Sequence, residues 1–233
     1  MNKHVFIKKF WDEGNVLYYF HFLNNYTVRQ IEIEGNRIMR FSIKDNDFLY
    51  DQPLSAMEDI QDNNYISEQE FERVWHNQSL RNGVEIIEFG DIFAIEGVTS
   101  YAHGCNCAGA MGRGIAVQFK ERFPAMYQEY YQLCKNRQFL PGDVFNYDYG
   151  KGHIYNLGTQ DTWHTKARLP YVITALERMM EMAEHDGVET IALPAICAGL
   201  GGLNWSHIRR TIKDIARYHP NIYLYVVERF KKG

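Results

Sequence analysis

The sequence has few cysteines and no long apolar run. Its four cysteines are Cys105, Cys107, Cys134 and Cys197. Cys105 and Cys107 are separated by one residue and no second pair stands at metal-ligand spacing, so the pattern excludes a disulfide framework and a zinc site. No stretch approaches the length of a membrane span, and residues 1–10 lack the apolar core of a signal peptide. We therefore expect a cytoplasmic protein that binds neither a membrane nor a metal.

A surplus of basic residues is also missing. The formal net charge is −4, which argues against a general affinity for nucleic acid but leaves room for a local basic site. Residues 1–83 carry 9 Lys and Arg against 13 Asp and Glu, and the rest of the chain carries 16 of each sign. Nine acidic residues and no Lys or Arg lie between Asp45 and Glu72. We interpret this stretch as a solvated face in preference to a site for a basic partner, because charge runs usually face water.

Two parts of the chain differ in their patterns. Residues 5–11, 16–23, 28–34 and 37–43 read as short strands rich in aromatic and β-branched residues, with turn signals at Gly14-Asn15, Asn24-Asn25 and Gly35-Asn36. Ser67-Glu68-Gln69-Glu70 is a capping box that opens one helix. The sequence therefore predicts a small α+β domain over residues 1–82, an antiparallel sheet plus one helix, with a boundary near residues 80–83.

Strands and helices alternate after this boundary. We predict strands at residues 84–89, 98–106, 143–149, 153–157, 190–196 and 222–227, and helices at 114–123, 125–135, 169–185 and 205–217. Alternation of this kind predicts a three-layer αβα domain with a mixed sheet over residues 83–233, whose ligands sit at the loops beyond the strand ends.

Two of these loops are rich in glycine. The first contains Gly109, Gly112 and Gly114 and joins a predicted strand to a predicted helix, an arrangement that presents backbone N–H groups to an anion. A plain strand-to-helix turn that needs glycine for tight packing explains this loop equally well. The second loop, residues 197–202, follows the strand at 190–196. Two such loops at one crevice suggest a ligand with phosphates in its middle.

Four motifs in this part resemble those of the macrodomain family, which binds ADP-ribose. They are Gly90-Asp91-Ile92, His103-Gly104-Cys105-Asn106-Cys107, Met111-Gly112-Arg113-Gly114-Ile115-Ala116 and residues 194–203, PAICAGLGGL. They occur in the family's order. The run from Gly112 to Lys120 resembles the branch of terminal ADP-ribose glycohydrolases and DNA ADP-ribosylation antitoxins, and the second motif also resembles the ADP-ribose 1″-phosphate phosphatases.

The resemblance implies a role for each matching position. Asp91 would accept a hydrogen bond from the adenine amino group, with the Ile92 backbone nearby, although a helix-capping Asp is the alternative. Asn106 would bind the distal ribose. The remaining implied ligand-binding residues are Gly112, Gly114 and Ile115 for the diphosphate, Thr159 at the next strand end, and Ala198, Gly199, Leu200, Gly201 and Gly202 for the phosphates and distal ribose.

The sequence departs from the family at the catalytic position. The glycohydrolases of that branch carry a reactive lysine after a threonine, where this chain has Gln160, and some members carry an Asp where this chain has Gly201. Glutamine cannot attack an anomeric carbon as an amine. Hydrolysis would instead need a positioned water and a group that takes its proton, and we assign this role to Asp161, with Asn106 and Gln160 as the other catalytic candidates.

Other candidate residues are better explained by structural or surface roles. His103 is interpreted as a structural hydrogen-bonding residue and Lys120 as a surface or salt-bridge residue. Cys105 and Cys107 are interpreted as small buried apolar residues. His164 lies near Asp161 in sequence. Trp163 would stack on adenine, cover the pocket, or pack on the core.

Three functions remain open at this point. The first is a metal-free, cofactor-free hydrolase that acts on an ADP-ribose derivative, whether attached to protein, nucleic acid or a small molecule, in a toxin-antitoxin or defence setting. The second is a binding module for ADP-ribose without chemistry. The third is an interaction protein with a vestigial pocket. Residues 1–82 faintly resemble a small bacterial domain of unknown function and would provide a site for a protein partner.

Overall fold

The computed structural model describes residues 2–35, 37–76 and 83–232. Contacts divide the chain into two compact units, Met1–Asn82 and Gly83–Gly233. The predicted turn residue Asn36 and the predicted boundary at residues 80–82 lie outside the described residues.

The first unit contains a four-stranded antiparallel sheet and one helix. The strands pair in chain order, and the elements are β1 (His4–Trp11), β2 (Val16–Leu23), β3 (Tyr26–Glu34), β4 (Arg37–Ser42) and helix α1 (Glu68–His76). Asn15, Asn24 and Asn25 have positive φ values of 52°, 50° and 77° in the turns, a conformation that asparagine tolerates. The strands lie where the sequence predicts them, within two residues at each end.

Each face of this sheet is covered. Helix α1 places Phe71 and Val74 against one face, and the connection between β4 and α1 packs Leu54 and Met57 near Phe20 on the other. That connection contains three short 3-10 turns that the sequence does not predict: Ile43–Phe48, Leu54–Ala56 and Asp62–Asn64. Leu49 in the connection is buried, whereas Ile43 and Phe48 are exposed. Most of its acidic residues are exposed as well: Asp45, Asp47, Asp51, Glu58, Asp59 and Asp62.

A buried histidine links β1, β2 and β3. Arg29 Nε donates to His21 Nδ1 at 3.0 Å, so the ring proton lies on Nε2, which is 2.8 Å from His4 Nδ1. The imidazole also stacks on Phe6, with 4.4 Å between ring centroids. Burial, Arg29 and His4 together lower the pKa of His21 to about 4. His21 is therefore neutral in the folded chain at pH 7.

We expect the chain to lose stability as the pH falls from 6.5 towards 4. In this window the unfolded state protonates His21 and the folded state does not, so the unfolded state binds more protons and stability falls with pH. A shift of this size corresponds to roughly 2–3 kcal/mol. Urea unfolding at pH 7 and pH 5, together with an NMR titration of the imidazole, measures the effect. A His21 resonance that titrates near pH 6.5 in the folded chain would contradict it.

The second unit contains a six-stranded mixed sheet. Its strands are β5 (Gly83–Gly90), β6 (Ser100–Asn106), β7 (Val144–Asp148), β8 (His153–Gln160), β9 (Thr190–Pro194) and β10 (Tyr223–Phe230), in the order β5-β10-β9-β6-β8-β7. All neighbours are parallel except β7 and β8, which are antiparallel. Its helices are α2 (Ala116–Arg122), α3 (Pro124–Lys135), α4 (Leu169–His185) and α5 (Trp205–Ala216).

Helices cover this sheet on two faces, which gives three layers. Ala102 belongs to the cluster formed with α4 and α5, whereas its neighbour Tyr101 belongs to the cluster formed with α2 and α3, as the period-2 alternation of a strand requires. Helix α2 begins at Ala116, two residues later than predicted, because Gly114 has a φ of +61° that cannot belong to a right-handed helix. The structure confirms the predicted α/β class, with a small α+β unit before the αβα unit.

The carboxyl ends of the parallel strands bring four connections to one side of the sheet, and this line of strand ends is called the sheet edge below. Asp91 follows β5, residues 197–202 (glycine loop 2) follow β9, residues 107–115 (glycine loop 1) follow β6, and residues 161–168 (the 161–168 segment) follow β8. Three strands lie between β5 and β8 in the sheet, so four inter-strand spacings of about 4.8 Å place the ends of β5 and β8 roughly 19 Å apart. This edge suits an elongated ligand.

Candidate functional site

Asn106 organises glycine loop 1. Its side-chain Oδ1 accepts from the backbone N–H groups of Ala108 and Ala110 at 3.0 and 3.2 Å, and its Nδ2 donates to the Ala110 carbonyl at 2.7 Å. The Tyr130 hydroxyl donates to the Asn106 carbonyl, and Asn106 is buried. Both acceptor positions of Oδ1 are used, so Asn106 can reach a ligand only as a donor, through its second amide proton. It cannot act as a base.

Glycine loop 2 is a tight turn with little room inside it. Cys197 has a φ of +60°, and the Leu203 N–H donates to the Cys197 carbonyl at 3.0 Å. A methyl group on Gly201 would lie 2.7 Å from Cys197 Cα, closer than packed atoms approach. The Asp that some family members carry at this position therefore does not fit the loop as it is folded here.

The two glycine loops face each other across a crevice. Leu200 is exposed, and its Cδ1 would lie 3.5 Å from a methyl group built on Gly114. The carboxyl ends of the neighbouring strands β9 and β6 lie at the floor of the crevice. Loop 2 leads into α5 on one face of the sheet and loop 1 leads into α2 on the other, so a ligand between the loops is held from two sides.

Gly112 and Gly199 stand apart from the other glycines. Neither has a φ in the left-handed range, and no atom of the described chain lies within 4 Å of a methyl group built on either residue. Each of the other glycines among the described residues has a positive φ, a close neighbour, or both. Neither the conformation nor the internal packing of the chain therefore requires glycine at these two positions, one in each loop. Close approach of a ligand to the backbone would require glycine there.

Asp91 forms the end of the crevice at β5. Its Oδ1 accepts from the Phe93 N–H at 2.8 Å, which caps the short turn Ile92–Ala94, and its Oδ2 lies 3.4 Å from Arg122 Nη2. The Arg122 guanidinium also lies over the Phe93 ring, 4.4 Å from its centroid. Ile92 has no exposed surface, backbone included. The capping role and the implied binding role of Asp91 are compatible, because a carboxylate oxygen accepts more than one hydrogen bond.

The end of β8 carries the other predicted catalytic residues. Gln160 Nε2 donates to the Thr162 carbonyl at 3.0 Å, which leaves Oε1 facing the strand end as an acceptor. Asp161 is partly exposed directly after it. Thr159, in contrast, is 2% exposed and its hydroxyl donates to the Cys105 carbonyl at 3.2 Å, so its side chain ties β8 to β6 and does not face the crevice.

Several of the structural, non-catalytic interpretations agree with the geometry. His103 is fully buried, its Nε2 is 2.9 Å from Asn156 Oδ1, and burial lowers its pKa to about 4. Burial raises the pKa of Cys105, and it raises the pKa of Cys107 to about 12, so neither thiol is a ready nucleophile. Lys120 Nζ lies 4.2 Å from the Tyr127 ring centroid. Trp163 follows β8, at the end of the crevice opposite Asp91, and is 55% exposed. It is therefore not placed to stack on an adenine bound at Asp91, and it does not pack on the core.

Sequence analysis overlooked Lys166. A methyl group on Gly202 would lie 2.6 Å from Lys166 Nζ, so the lysine side chain occupies the space that a side chain on Gly202 would fill. The Ala167 N–H donates to the Gly201 carbonyl at 3.0 Å and holds the lysine there. The sequence could not predict the contact between Lys166 and Gly202, because it joins two loops that are far apart in the chain.

Two searches over residues 2–35, 37–76 and 83–232 bear on ligands and membranes. No group of three His, Cys, Asp or Glu side chains there is placed to hold a metal ion. No helix in these ranges is long and apolar enough to cross a bilayer.

The fold and the paired glycine loops define an α/β module built around an elongated, phosphate-containing ligand. Comparison with known proteins makes this specific. The family model of the Macro domain matches residues 102–212. The chain is 33% identical over 135 residues to the DNA ADP-ribosyl glycohydrolase of Thermus aquaticus, covering 56% of this chain and 38% of that protein. It is 28% identical over 133 residues to the ADP-ribose 1″-phosphate phosphatase of Candida albicans, covering 53% of this chain and 85% of that protein.

Among solved structures, the macrodomain of Thermus aquaticus DarG superposes with a TM-score of 0.57 at 30% identity, covering 63% of this chain and 99% of that one. The chain belongs to the macrodomain family. It spans little more than a third of the length of the DNA ADP-ribosyl glycohydrolase that it matches.

Proposed function

We propose that this protein binds ADP-ribose along the sheet edge and hydrolyses the bond between ADP-ribose and an attached group. The adenine lies at Asp91, the diphosphate between the two glycine loops, and the distal ribose near Asn106. The observation that carries this assignment is the pair Gly112 and Gly199, whose missing side chains serve neither the conformation nor the packing of the chain. The length of the edge, roughly 19 Å between the ends of β5 and β8, suits the molecule.

Hydrolysis proceeds without the family's lysine in this proposal. Asp161 takes a proton from a water while the water oxygen bonds to C1″ of the distal ribose, and the bond from C1″ to the attached group breaks. The attached group leaves with the electron pair and gains a proton. Gln160 Oε1 holds the water, and the second amide proton of Asn106 holds a ribose hydroxyl. General base catalysis of this kind is worth roughly 10²- to 10⁴-fold in rate.

Asp161→Asn is expected to lower turnover by at least about 100-fold and to change the Kd for ADP-ribose by less than about threefold. The amide cannot accept the proton, whereas its size and position are retained. Single-turnover assays on ADP-ribosylated substrates and on ADP-ribose 1″-phosphate measure the first quantity and calorimetry the second. Gln160→Ala is the comparison, with a smaller loss. Full turnover by Asp161→Asn would place proton transfer elsewhere.

The second candidate function is an ADP-ribose-binding module without chemistry, and the glutamine at position 160 favours it. Titration with ADP-ribose, with AMP and NAD as controls, tests what both functions share. Micromolar binding, on the order of −8 kcal/mol, followed by no turnover of any substrate supports the module. Absence of ADP-ribose binding would contradict both.

Arg122→Ala is expected to weaken ADP-ribose binding by about two- to fivefold. The guanidinium orients the Asp91 carboxylate from a partly exposed position, where such a contact is worth up to about 1 kcal/mol. AMP, which carries the adenine, is expected to lose the same factor, whereas ribose 5-phosphate is not. Arg122→Lys serves as the charge control. An unchanged Kd for AMP would show that Arg122 does not support the adenine end.

A role for the first unit is a separate proposal. Although charge runs usually face only water, we propose that the exposed carboxylates of the connection between β4 and α1 bind a protein partner, in a setting where ADP-ribosylation by a toxin or a defence enzyme is reversed. The support is the row of exposed carboxylates between β4 and α1 and the glycohydrolase relative. Asn in place of Asp47, Asp51 and Asp59 is expected to weaken partner capture without altering ADP-ribose binding. Equal partner capture by this variant would remove the proposal.

A further inference from the structure

The side chain of Lys166 lies along the backbone of glycine loop 2. A methyl group built on Gly202 would lie 2.6 Å from Nζ, 2.8 Å from Cδ and 3.1 Å from Cε of Lys166. The next residue in the chain, Ala167, donates its N–H to the Gly201 carbonyl at 3.0 Å, which joins the 161–168 segment to this loop. The ammonium group is therefore held beside glycine loop 2 by contacts of both its own stem and its neighbour.

The chain offers this ammonium group no carboxylate. Lys166 is exposed, and among the described residues it forms neither an ion pair nor a hydrogen bond through its side chain. Asp161 is the one acidic residue between Thr159 and Tyr171, and neither glycine loop contains an acidic residue. Arg168, the other cation of the segment, lies over the Tyr171 ring, with its Cζ 5.6 Å from the ring centroid. The positive charge beside glycine loop 2 is thus not neutralised within the described chain.

Glycine loop 2 also has backbone donors to spare. The Gly202 N–H donates to the Gly199 carbonyl at 3.1 Å, which closes the turn. The N–H groups of Gly199, Leu200 and Gly201 donate to no group of the described chain. Backbone N–H groups favour an anion through partial charges only, whereas each phosphate of a diphosphate carries a formal negative charge. A lysine beside the loop supplies the formal positive charge that the backbone lacks.

The strand order places Lys166 on the far side of glycine loop 2 from the adenine end. Asp91 follows β5, glycine loop 2 follows β9 and the 161–168 segment follows β8, in a sheet of order β5-β10-β9-β6-β8-β7. Lys166 therefore reaches the loop from the side of β8. In a ligand whose adenine lies at Asp91, the phosphate joined to the adenosine comes first along this edge and the second phosphate lies nearer Lys166.

We infer that Lys166 binds the second phosphate of the ligand, the one joined to the distal ribose, and makes the crevice selective for a diphosphate over a monophosphate. This inference rests on the proposed function, which places the diphosphate between the glycine loops. The ammonium group donates to a phosphate oxygen as a point charge. Because the stem of Lys166 already lies along Gly202, binding costs little further side-chain freedom.

Lys166→Met tests the charge, because methionine keeps an unbranched stem that can lie along Gly202. Calorimetric titration of the full chain with ADP-ribose, ADP and AMP measures the effect. We expect the Kd of ADP-ribose and of ADP to rise by roughly 5- to 15-fold, between the effect of an exposed ion pair and that of a hydrogen bond to a charged group. The Kd of AMP, which lacks the second phosphate, is expected to change by less than about twofold.

Salt dependence and two further variants separate charge from loop structure. Added salt screens exposed charges, so it should weaken ADP-ribose binding by the parent chain more than binding by Lys166→Met. Lys166→Arg keeps the charge and is expected to retain most of the affinity. Lys151→Met is the matched control, because Lys151 is an exposed lysine in the turn at the opposite end of β8. It is expected to change neither the Kd nor its salt dependence.

The outcomes distinguish this inference from the proposed function. Absence of ADP-ribose binding by the parent chain overturns the proposed function. Parent binding of ADP-ribose that Lys166→Met retains, with the same salt dependence, overturns only the present inference. An equal loss of affinity for AMP and ADP-ribose in Lys166→Met would show that the lysine supports the shape of glycine loop 2 and does not bind the second phosphate, which also overturns it.

Discussion

Alanine at Gly112 or at Gly199 is expected to weaken ADP-ribose binding without destabilising the fold. The added methyl group meets no atom of the described chain at either position, and replacing glycine where the conformation allows it stabilises a protein by about 0.4–1 kcal/mol. In the crevice the same methyl group occupies space that the diphosphate needs. Overlap of one methyl group costs about 1–3 kcal/mol, which weakens binding by roughly 5- to 150-fold.

Calorimetric titration and urea unfolding of the same variants measure the two effects. Gly201→Ala is the matched control in glycine loop 2, because its methyl group would lie 2.7 Å from Cys197 Cα and must distort the backbone. We expect this control to lose stability as well as binding. If Gly112→Ala and Gly199→Ala bind ADP-ribose as the parent chain does, the crevice between the loops is not the diphosphate site.

Asn106→Ala is expected to remove ADP-ribose binding and also to lower the free energy of unfolding by roughly 1–3 kcal/mol. The substitution removes the oxygen that accepts from the N–H groups of both Ala108 and Ala110, and each such hydrogen bond contributes about 0.5–1.5 kcal/mol. Glycine loop 1 then loses the geometry that aims its backbone at an anion. Calorimetry for binding and urea unfolding for stability measure both consequences.

Asn106→Asp separates the two roles of this residue. The carboxylate still accepts from Ala108 and Ala110, but it cannot donate to the Ala110 carbonyl or to a ribose hydroxyl. We expect binding to be weakened as in the alanine variant, with a smaller loss of stability. Tyr130→Phe, which removes only the hydroxyl that donates to the Asn106 carbonyl, should weaken binding much less. Wild-type binding by Asn106→Ala would show that the loop holds its shape without this side chain.

Loss of turnover in an Asn106 variant therefore cannot identify a catalytic group. The residue holds the phosphate loop together, so its removal affects every step that follows binding. The Asp161 backbone carbonyl accepts from the Cys107 N–H of glycine loop 1 at 3.2 Å, but a substitution of the side chain leaves this bond in place. Asp161 is therefore the better position at which to test chemistry.

Sequence patterns predicted the layers of the fold because buried apolar residues recur with the period of the helix or strand that carries them. Helix α4 lies at residues 169–185 as predicted, since its apolar residues recur at helical spacing and Pro170 stands in its first turn. The predicted strand at 190–196 ends two residues early, at Pro194, which lacks the N–H that a ladder requires. The three short turns between β4 and α1 left no such trace, because each is too short to show a period.

The site was predicted only in part, for a different reason. The glycines of the two loops could be recognised from their spacing and from the family resemblance. The partner of Asp91 on α2, the buried position of Thr159 and the contact of Lys166 with Gly202 all join segments that are distant in sequence. One sequence read alone has no pattern that specifies such contacts.

The position of β10 in the sheet has a consequence for the newly synthesised chain. Strand β5 pairs only with β10, and Gly83 at its start lies beside Tyr223. During translation, at roughly 5–20 residues per second, β5 must therefore wait for several seconds or longer until its neighbour leaves the ribosome. Asp91 follows β5 directly, so the end of the crevice at β5 is completed last. A nascent chain that stops before residue 223 would carry both glycine loops while β5 still lacked its neighbour β10.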